Sequence, residues 1–305
     1  MKILRQDGLG ENRTVWIKDG QPWRIVIRRD KALNLGDVVA AKITAHEPAL
    51  HGWFAKTARG DVLIKTEERQ REGESVRVQI TIEAHDEKPA TGILSNEPEQ
   101  WGDSFAGRAT EDAPIEDISA AEMDDLMDRA MAADCALAGG GVLHIEHTRI
   151  GWAIDVDTRT AGAAWRTINQ EAVQEIARQI GLKNMGGLIL IDFAGSKRGR
   201  AGREIGAALK TALAEDDLIT GAGWTKAGLY ELMRTRRRAS LWDNLGNENR
   251  LATYYRIRRA VANCRRGCVR VRVAPALIPM LTAVGIAAEP VFEKPMSFFE
   301  IVENE

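Results

Sequence analysis

The segment "GWAIDVDTR", residues 151–159, sets Asp155 and Asp157 two positions apart at the end of an apolar run. A second apolar run, in "GGLILIDFAGSKRGR" at 186–200, closes on Asp192. Carboxylates are costly to bury unless they are paired or bound to metal. On an extended strand residues i and i+2 project from one face, so Asp155 and Asp157 point the same way. With the strand ending at Asp192 beside theirs, two or three carboxylates converge on an oxygen cluster suited to a hard cation such as Mg²⁺. Such an ion acidifies a bound water and polarises a phosphoryl oxygen. Straight after Asp192, Lys197, Arg198, Arg200 and Arg203 lie in a glycine-rich loop that runs into a helix start. Cations, exposed amides and the helix dipole all favour phosphate there. A strand-terminal aspartate also serves to cap a turn or the next helix. Two such ends with a basic loop beside them strengthen the phosphate–metal reading, and the capping role stays open beside it.

Other chemistry-bearing residues are less specific. His144 and His147 flank Glu146 in "HIEH", but on a strand His144 and Glu146 share a face that His147 does not, as on an ordinary solvated strand. Cys264 and Cys268 are separated by "RRG", without the two-residue spacing and second ligand pair of a zinc knuckle, and read as free thiols. "GGG" at 139–141 is a turn, and no Ser-His-Asp arrangement stands out.

The elements that must position these residues follow from periodicity. "TVWIKDGQPWRIVIRRD" is a hairpin, with Asp19-Gly20 as a type I′ turn. Short alternating runs with regular turn signals across 36–94 predict about five strands and a small barrel of the OB type. "SAAEMDDLMDRAMAADCAL" predicts a helix capped by Ser119, with Met123, Leu126, Met127 and Ala130 on its apolar face. From 141 strands and helices alternate: a strand pair meeting near Arg149, a helix over "WRTINQEAVQEIARQIGL", the strand "GGLILIDF", a helix over "GRAGREIGAALKTALAED", and a strand near "LITGAGWT". "GLYELMRTRRRAS" reads as a last short helix, and the tail as an arginine-rich helix, a strand "CVRVRVAP" and a short helix. In layered α/β sheets ligands bind off the carboxyl ends of strands, where Asp155, Asp157 and Asp192 all fall.

Bulk properties narrow the classes. With 305 residues the chain has room for two domains and a small module. No apolar stretch approaches the length of a membrane helix, and "MKILRQDGLGENR" has no signal-peptide core. Three cysteines argue against a disulfide framework, so the expectation is a cytoplasmic protein. A net charge of −2 hides an asymmetry: 96–135 holds twelve acids against two arginines, whereas 250–272 holds eight arginines and no acid. The basic block admits a polyanionic partner.

The words "GGGVLHIEHTRIGWAIDVDTR", "NQEAVQEIARQIGLKNMGGLILIDF" and "KAGLYELMR" occur in an order and spacing that resemble the catalytic part of the ribonuclease E/G family. "DGQPWRIVIRRD", "GDVVAAKITAHEPALHGWFAK" and "REGESVRVQITIEAHDEKPA" are similar to that family's opening strands and its inserted S1 (OB-type) RNA-binding barrel. The resemblance implies a mixed α+β chain: N-terminal strands over 1–34 as an RNase H-like remnant, an S1-like barrel over 35–95, and an acidic linker over 96–118. A DNase I-like α/β catalytic domain over 119–245 and a basic small-domain-like segment over 246–305 would follow. It implies that Asp155 and Asp192 hold the catalytic Mg²⁺, with Mn²⁺ as the alternative ion. Asp157 stands where the family has an asparagine that orients the scissile phosphate. Phe54 falls on an aromatic of the barrel that stacks a base. Two family features are missing: the region that senses a 5′-monophosphate, and the Cys-x-x-Cys zinc link between protomers, replaced by "WDNLGNENR". No zinc is therefore expected, and a homo-oligomer would have to form without that link.

The leading reading is a compact single-strand endoribonuclease that leaves 5′-phosphate and 3′-hydroxyl ends, acting in RNA processing or decay without a membrane. Asp155, Asp192 and Asp157 would form the catalytic group. Phe54 and Trp53 would stack bases, Trp53 being equally suited to the barrel core. Lys197, Arg198 and Arg200, with Arg236, Arg237 and Arg238 in support, would position phosphates. Two alternatives remain: a non-catalytic RNA-binding protein derived from the family, and an α/β enzyme acting on a small phosphorylated substrate.

Overall fold

The computed structural model describes residues 1–7, 11–85, 88–99, 113–159, 165–195 and 199–245, and the backbone of 288–290 and 299–301. The expected elements over 250–287 lie outside these residues. The chain divides into two compact units, one of residues 1–15, 26–124 and 243–305, the other of 16–25 and 125–242. Among the described residues no helix is long and apolar enough to cross a membrane.

The chain opens with β1 (Lys2–Asp7), β2 (Glu11–Lys18) and β3 (Gln21–Arg29), of which residues 16–25 fall in the second unit. As the sequence predicts, Asp19 and Gly20 turn the second hairpin with φ of 52° and 76°, both values in the left-handed region a type I′ turn requires. The strands form a four-stranded sheet in the order β3-β2-β1-β9. Its edge strand, β9 (Ile115–Asp117), runs parallel to β1 with Ile3 opposite Ile115. Part of the expected linker is thus a sheet edge, while 100–112 lies outside the described residues.

The barrel expected over 35–95 is present as five strands: β4 (Val38–Glu47), β5 (Gly52–Thr57), β6 (Gly60–Lys65), β7 (Ser75–Ile82) and β8 (Ala90–Leu94). They close in the order β4-β5-β6-β8-β7, and only β6 and β8 pair in parallel. Alternation sends Val39, Ala41, Ile43, Ala55, Val62, Ile64, Val78 and Ile80 inward as the barrel core. Glycine at 92 is required by the closure, because a Cβ there would sit 2.4 Å from Val78 Cγ1. At the barrel entrance the fully buried Asp37 carboxylate meets Arg28 at 2.6 Å and Arg59 at 2.8 Å.

Helix α1 (Ala120–Met131) begins with a capping box: the Glu122 amide donates to Ser119 Oγ, and Glu122 Oε2 accepts from the Ser119 amide. Met123, Leu126, Met127 and Ala130 are buried, as their spacing predicts. The helix stops before "ADCAL", because β10 (Asp134–Ala136) instead adds to a sheet edge.

The second unit carries a six-stranded sheet in the order β10-β11-β12-β13-β15-β14. Its other strands are β11 (Val142–Thr148), β12 (Gly151–Asp157), β13 (Gly187–Asp192), β14 (Ile219–Trp224) and β15 (Tyr230–Arg234). Helix α2 (Trp165–Leu182) links β12 to β13, and α3 (Gly199–Ala212) links β13 to the edge strand β14. Ile168, Ala172, Ile176 and Ile180 of α2 and Ile205 and Leu209 of α3 bury one sheet face with Leu143, Ile145, Ile154, Val156, Ile189 and Ile191. Each fully buried side chain of this kind contributes roughly 1.5–3 kcal/mol.

One expectation fails here. "GLYELMRTRRRAS" contains a strand, β15, and not a helix. Tyr230, Leu232 and Arg234 are buried while Glu231 and Met233 are exposed, a two-residue period set by pairing with β13. Helix α4 (Leu241–Leu245) follows, and β16 (Ala288–Pro290) pairs with β17 (Phe299–Ile301).

Candidate active site

The two apolar runs that end in acid are neighbours. β12 and β13 are parallel, and the register places Asp155 directly opposite Asp192. Adjacent strands lie about 4.8 Å apart, so both carboxylates leave the sheet from one edge side by side. Glycine 151 permits this approach: a Cβ there would lie 2.2 Å from the Leu188 carbonyl oxygen. Register and burial put Asp155 and Asp192 on the sheet face opposite the helices, with Asp155 exposed and Asp192 half-buried.

Asp157 shares that face, but its contacts are local. Its Oδ1 accepts from the Arg159 amide at 2.7 Å, an Asx turn that ends β12. Its Oδ2 lies 3.9 Å from His144 Nε2, and the other ring nitrogen of His144 is 2.8 Å from Asp134 Oδ1. His144 pairs with Asp155 in the antiparallel β11–β12 register, so it stands on the carboxylate face. The sequence reading took His144 for an ordinary strand residue; the fold places it between two acids at the edge of the site.

Two carboxylates on an open face fit a hard cation that keeps water or phosphate as its remaining ligands. Among the described residues no group of three or more His, Cys, Asp or Glu is placed to enclose an ion.

The chain leaving Asp192 is anchored by a residue the sequence reading missed. Asn169, fully buried in α2, donates through Nδ2 to the Ala194 carbonyl at 2.8 Å and accepts through Oδ1 from the Ala194 amide at 3.1 Å. Gly195 turns with φ of 74° under the Trp165 ring, where a Cβ would lie 2.7 Å from Trp165 Cδ2. A polar residue among the apolar positions of a helix's buried face is the signal that could have identified Asn169.

The cations are dispersed. Lys197 and Arg198 lie outside the described residues. Arg200, in the first turn of α3, is exposed and pairs with Glu204 at 2.7 Å; this bond raises its pKa. Arg236, Arg237 and Arg238 are not beside the carboxylates. Arg236 packs against Gly186, before the first residue of the strand that ends in Asp192, and Arg238 is buried. Gly187 and Asp192 are five positions apart on the strand, roughly 16 Å along the sheet. Arg234, also buried, donates to Asp216 Oδ2, to Asn184 Oδ1 and to the Met185 carbonyl, which secures the start of β13.

In the barrel the two aromatics separate. Trp53 packs against the core and lies with its ring centroid 4.4 Å from that of His46. Phe54 turns to the outer face, half-buried, in register with Ala45 and Leu63. Beside it on that face, Lys42 and Lys56 are exposed and directly opposite one another.

Residues 105–237, which contain the whole carboxylate site, match the sequence model of the ribonuclease E/G family. Over 142 residues the chain is 34% identical to ribonuclease G of Escherichia coli K12, covering 44% of this chain and 29% of that protein. It is 33% identical over 135 residues to ribonuclease G of Haemophilus influenzae, covering 42% and 27%. With ribonuclease E of Escherichia coli K12 it shares 31% identity over 131 residues, covering 40% and 12%. The aligned region is thus less than a third of each relative's length, and the family match does not include the barrel. Over residues 105–237 the chain is thus similar in sequence to the ribonuclease E/G family.

Proposed function

We propose that this protein is a metal-dependent endoribonuclease acting on single-stranded RNA. The observation that carries the proposal is the direct register of Asp155 with Asp192 on adjacent parallel strands, inside the family-matched segment. Asp155 and Asp192 would hold Mg²⁺, or Mn²⁺ in its place. Bound there, the ion would acidify a water and neutralise charge on the scissile phosphate. In the hydrolysis a water oxygen adds to phosphorus and the P–O3′ bond breaks, leaving 5′-phosphate and 3′-hydroxyl ends.

The remaining work falls to the chain itself. Asn169 fixes the backbone after Asp192, and so the start of the loop with Lys197 and Arg198, which we read as phosphate positioners together with Arg200. The Arg200–Glu204 pair is fully exposed and opens at little cost. Asp157, held by its turn, sets the end of β12 and brings negative charge toward the phosphate where the family has a neutral amide. Arg236–Arg238 would serve the fold or a distal part of the strand.

We read the barrel as an S1-like, OB-type module. Its five-strand order supports this, as does Phe54 on the outer face beside Lys42 and Lys56. Like charges directly opposite on a sheet repel, and a polyanion lying across them relieves that cost. Stacking plus cations holds single strands without strict sequence readout. Residues 1–34, 96–118 and 246–305 would be the N-terminal strands, the acidic connection and a basic small-domain-like segment.

The test is cleavage of a 5′-labelled unstructured RNA in Mg²⁺ or EDTA by the wild type and Asp192→Asn. Metal-dependent cutting lost in the variant is expected. RNA bound but left whole by both proteins would overturn the assignment in favour of a binding protein.

A further inference from the structure

Arg236 stands at the end of β13 remote from Asp192, packed on Gly186. At that same end three aromatic rings form a ladder from the core to the surface. Trp152, buried in β12, lies with its ring centroid 4.5 Å from that of His147, and the His147 ring lies 5.9 Å from that of Trp242. His147 and Trp152 are directly opposite one another in the β11–β12 register, so the sheet itself sets the two inner rungs. Trp242 is the outer rung. Its neighbours in α4, Leu241 and Leu245, are buried, whereas Trp242 is 39% exposed. The cleft that these rings share with Lys183 and Leu241 measures about 30 Å³, room for a water or two and not for a base. A ligand of this patch therefore lies on the outer face of the indole.

The cations reach the same place through the turn that joins α2 to β13. Asn184 Nδ2 donates to the carbonyls of Arg238 and Ala239, and the Leu241 amide donates to the Lys183 carbonyl. With Arg236 on Gly186, the segment 236–241 is pinned along residues 183–186, a span of at most about 10 Å of chain, which keeps Arg237 near Trp242. Arg237 is exposed, as is Arg149 in the β11–β12 turn two residues past His147. Neither arginine makes an ion pair among the described residues. Glu146 projects from the opposite face of the sheet to His147, and Asp243 is half-buried with a partner of its own. The exposed charges on this segment and on the adjacent turn are therefore cationic.

An open aromatic face flanked by unpaired arginines is what a single nucleic-acid strand requires, one base stacking on the ring and the phosphates on either side meeting the cations. The apolar surface is too small for a protein partner. Ile150, in the turn, is the exposed apolar side chain nearest in the chain to the inner rungs, and a stable protein interface buries about 800 Å² on each side.

We propose that Trp242, with Arg237 and Arg149, is a second contact for single-stranded RNA that stacks one unpaired base at the end of β13 remote from the metal site. This rests on the RNA-binding part of the function proposed above and deepens it. Asp155 and Asp192 act on the scissile phosphate, while a base held roughly 16 Å away along the strand direction fixes the path of the chain. Trp242 touches none of the reacting atoms, so its contribution is to binding.

The experiment is fluorescence anisotropy of the full chain with a labelled, unstructured RNA oligonucleotide in EDTA, for wild type, Trp242→Ala, Trp242→Phe and Arg237→Gln. Sedimentation equilibrium of the wild type and Trp242→Ala accompanies it. Both side chains are exposed, so the variants keep the fold, and Trp242→Phe also keeps a ring. Trp242→Ala should weaken RNA binding about tenfold, within the value of one stacked base, and Trp242→Phe should weaken it less. Arg237→Gln should weaken binding and lower the slope of log affinity against log salt by about one. RNA affinity unchanged in both Trp242→Ala and Arg237→Gln would overturn the contact. A dimer lost in Trp242→Ala, with RNA affinity intact, would overturn it in favour of a second copy of the chain. EDTA prevents cleavage, so a chain that binds RNA without cutting it refutes the nuclease and leaves this contact standing.

Discussion

Asp155 and Asp192 are direct partners across the parallel β12–β13 pair, two acids from segments well separated in sequence that leave the sheet on one face. Neither carboxylate is fully buried. Asp155→Asn and Asp192→Asn should each lower RNA cleavage on the order of a thousandfold, the loss expected when several kcal/mol of transition-state charge stabilisation is removed. Their melting temperatures should stay near that of the wild type. A single-turnover cleavage assay beside a thermal melt checks both halves, and full activity in either variant would exclude the pair as the metal site.

Asp157 is a different case. Its Oδ1 accepts from the Arg159 amide, a bond that an asparagine can also make. Asp157→Asn keeps the turn and removes one negative charge beside the phosphate path. Cleavage should rise by about two- to tenfold, the scale of a partly exposed charge interaction. A steep fall would instead make Asp157 a metal ligand.

Asn169 satisfies both backbone groups of Ala194. Asn169→Ala removes that partner from half-buried Ala194 and should destabilise the fold by about 2 kcal/mol. Cleavage should fall further than in Ile176→Val, a core change remote from the loop. Denaturant unfolding and cleavage measured on both variants separate positioning from stability.

Burial draws the Lys183 ammonium down from the ordinary 10.5 to about 8, with Cys135 opposing the shift. Its Nζ donates to the carbonyls of Ala130 and Ala132, at the end of α1. Below about pH 8 both folded and unfolded states carry the proton, and the burial cost stands in full. Between about 8 and 10.5 only the unfolded state keeps it, so the lysine's contribution becomes more favourable as pH rises. Stability relative to Lys183→Met should improve by up to about 1.4 kcal/mol per pH unit in that window. A difference that stays flat from pH 7 to 10 would refute the buried-amine account.

The barrel aromatics should respond in opposite ways. Phe54→Ala is expected to weaken single-stranded RNA binding about tenfold, the value of one stacked base, with little change in melting. Trp53→Ala should destabilise the protein by about 2–3 kcal/mol through lost core packing. Fluorescence anisotropy with a labelled oligonucleotide and thermal melts distinguish the two.

The sequence by itself determined whatever depends on local periodicity and turn chemistry. The Asp19-Gly20 hairpin, the five barrel strands, α2, α3 and the ends of the two apolar runs at Asp155 and Asp192 were all legible, because side-chain alternation and left-handed turn residues are short-range properties. Tertiary structure decided the neighbours. "GLYELMR" suits a helix or a strand by its own pattern, and β13 and β14 draw it into the sheet from both sides. The same pairing moved Arg236 to the far end of β13, while the β11–β12 pair brought His144 to Asp157 and the packing of α2 gave buried Asn169 its partners. Register between strands depends on long-range packing, here on the absence of a side chain at Gly151 that lets β12 meet β13. Spacing in one segment carries no information about the segment that will lie beside it.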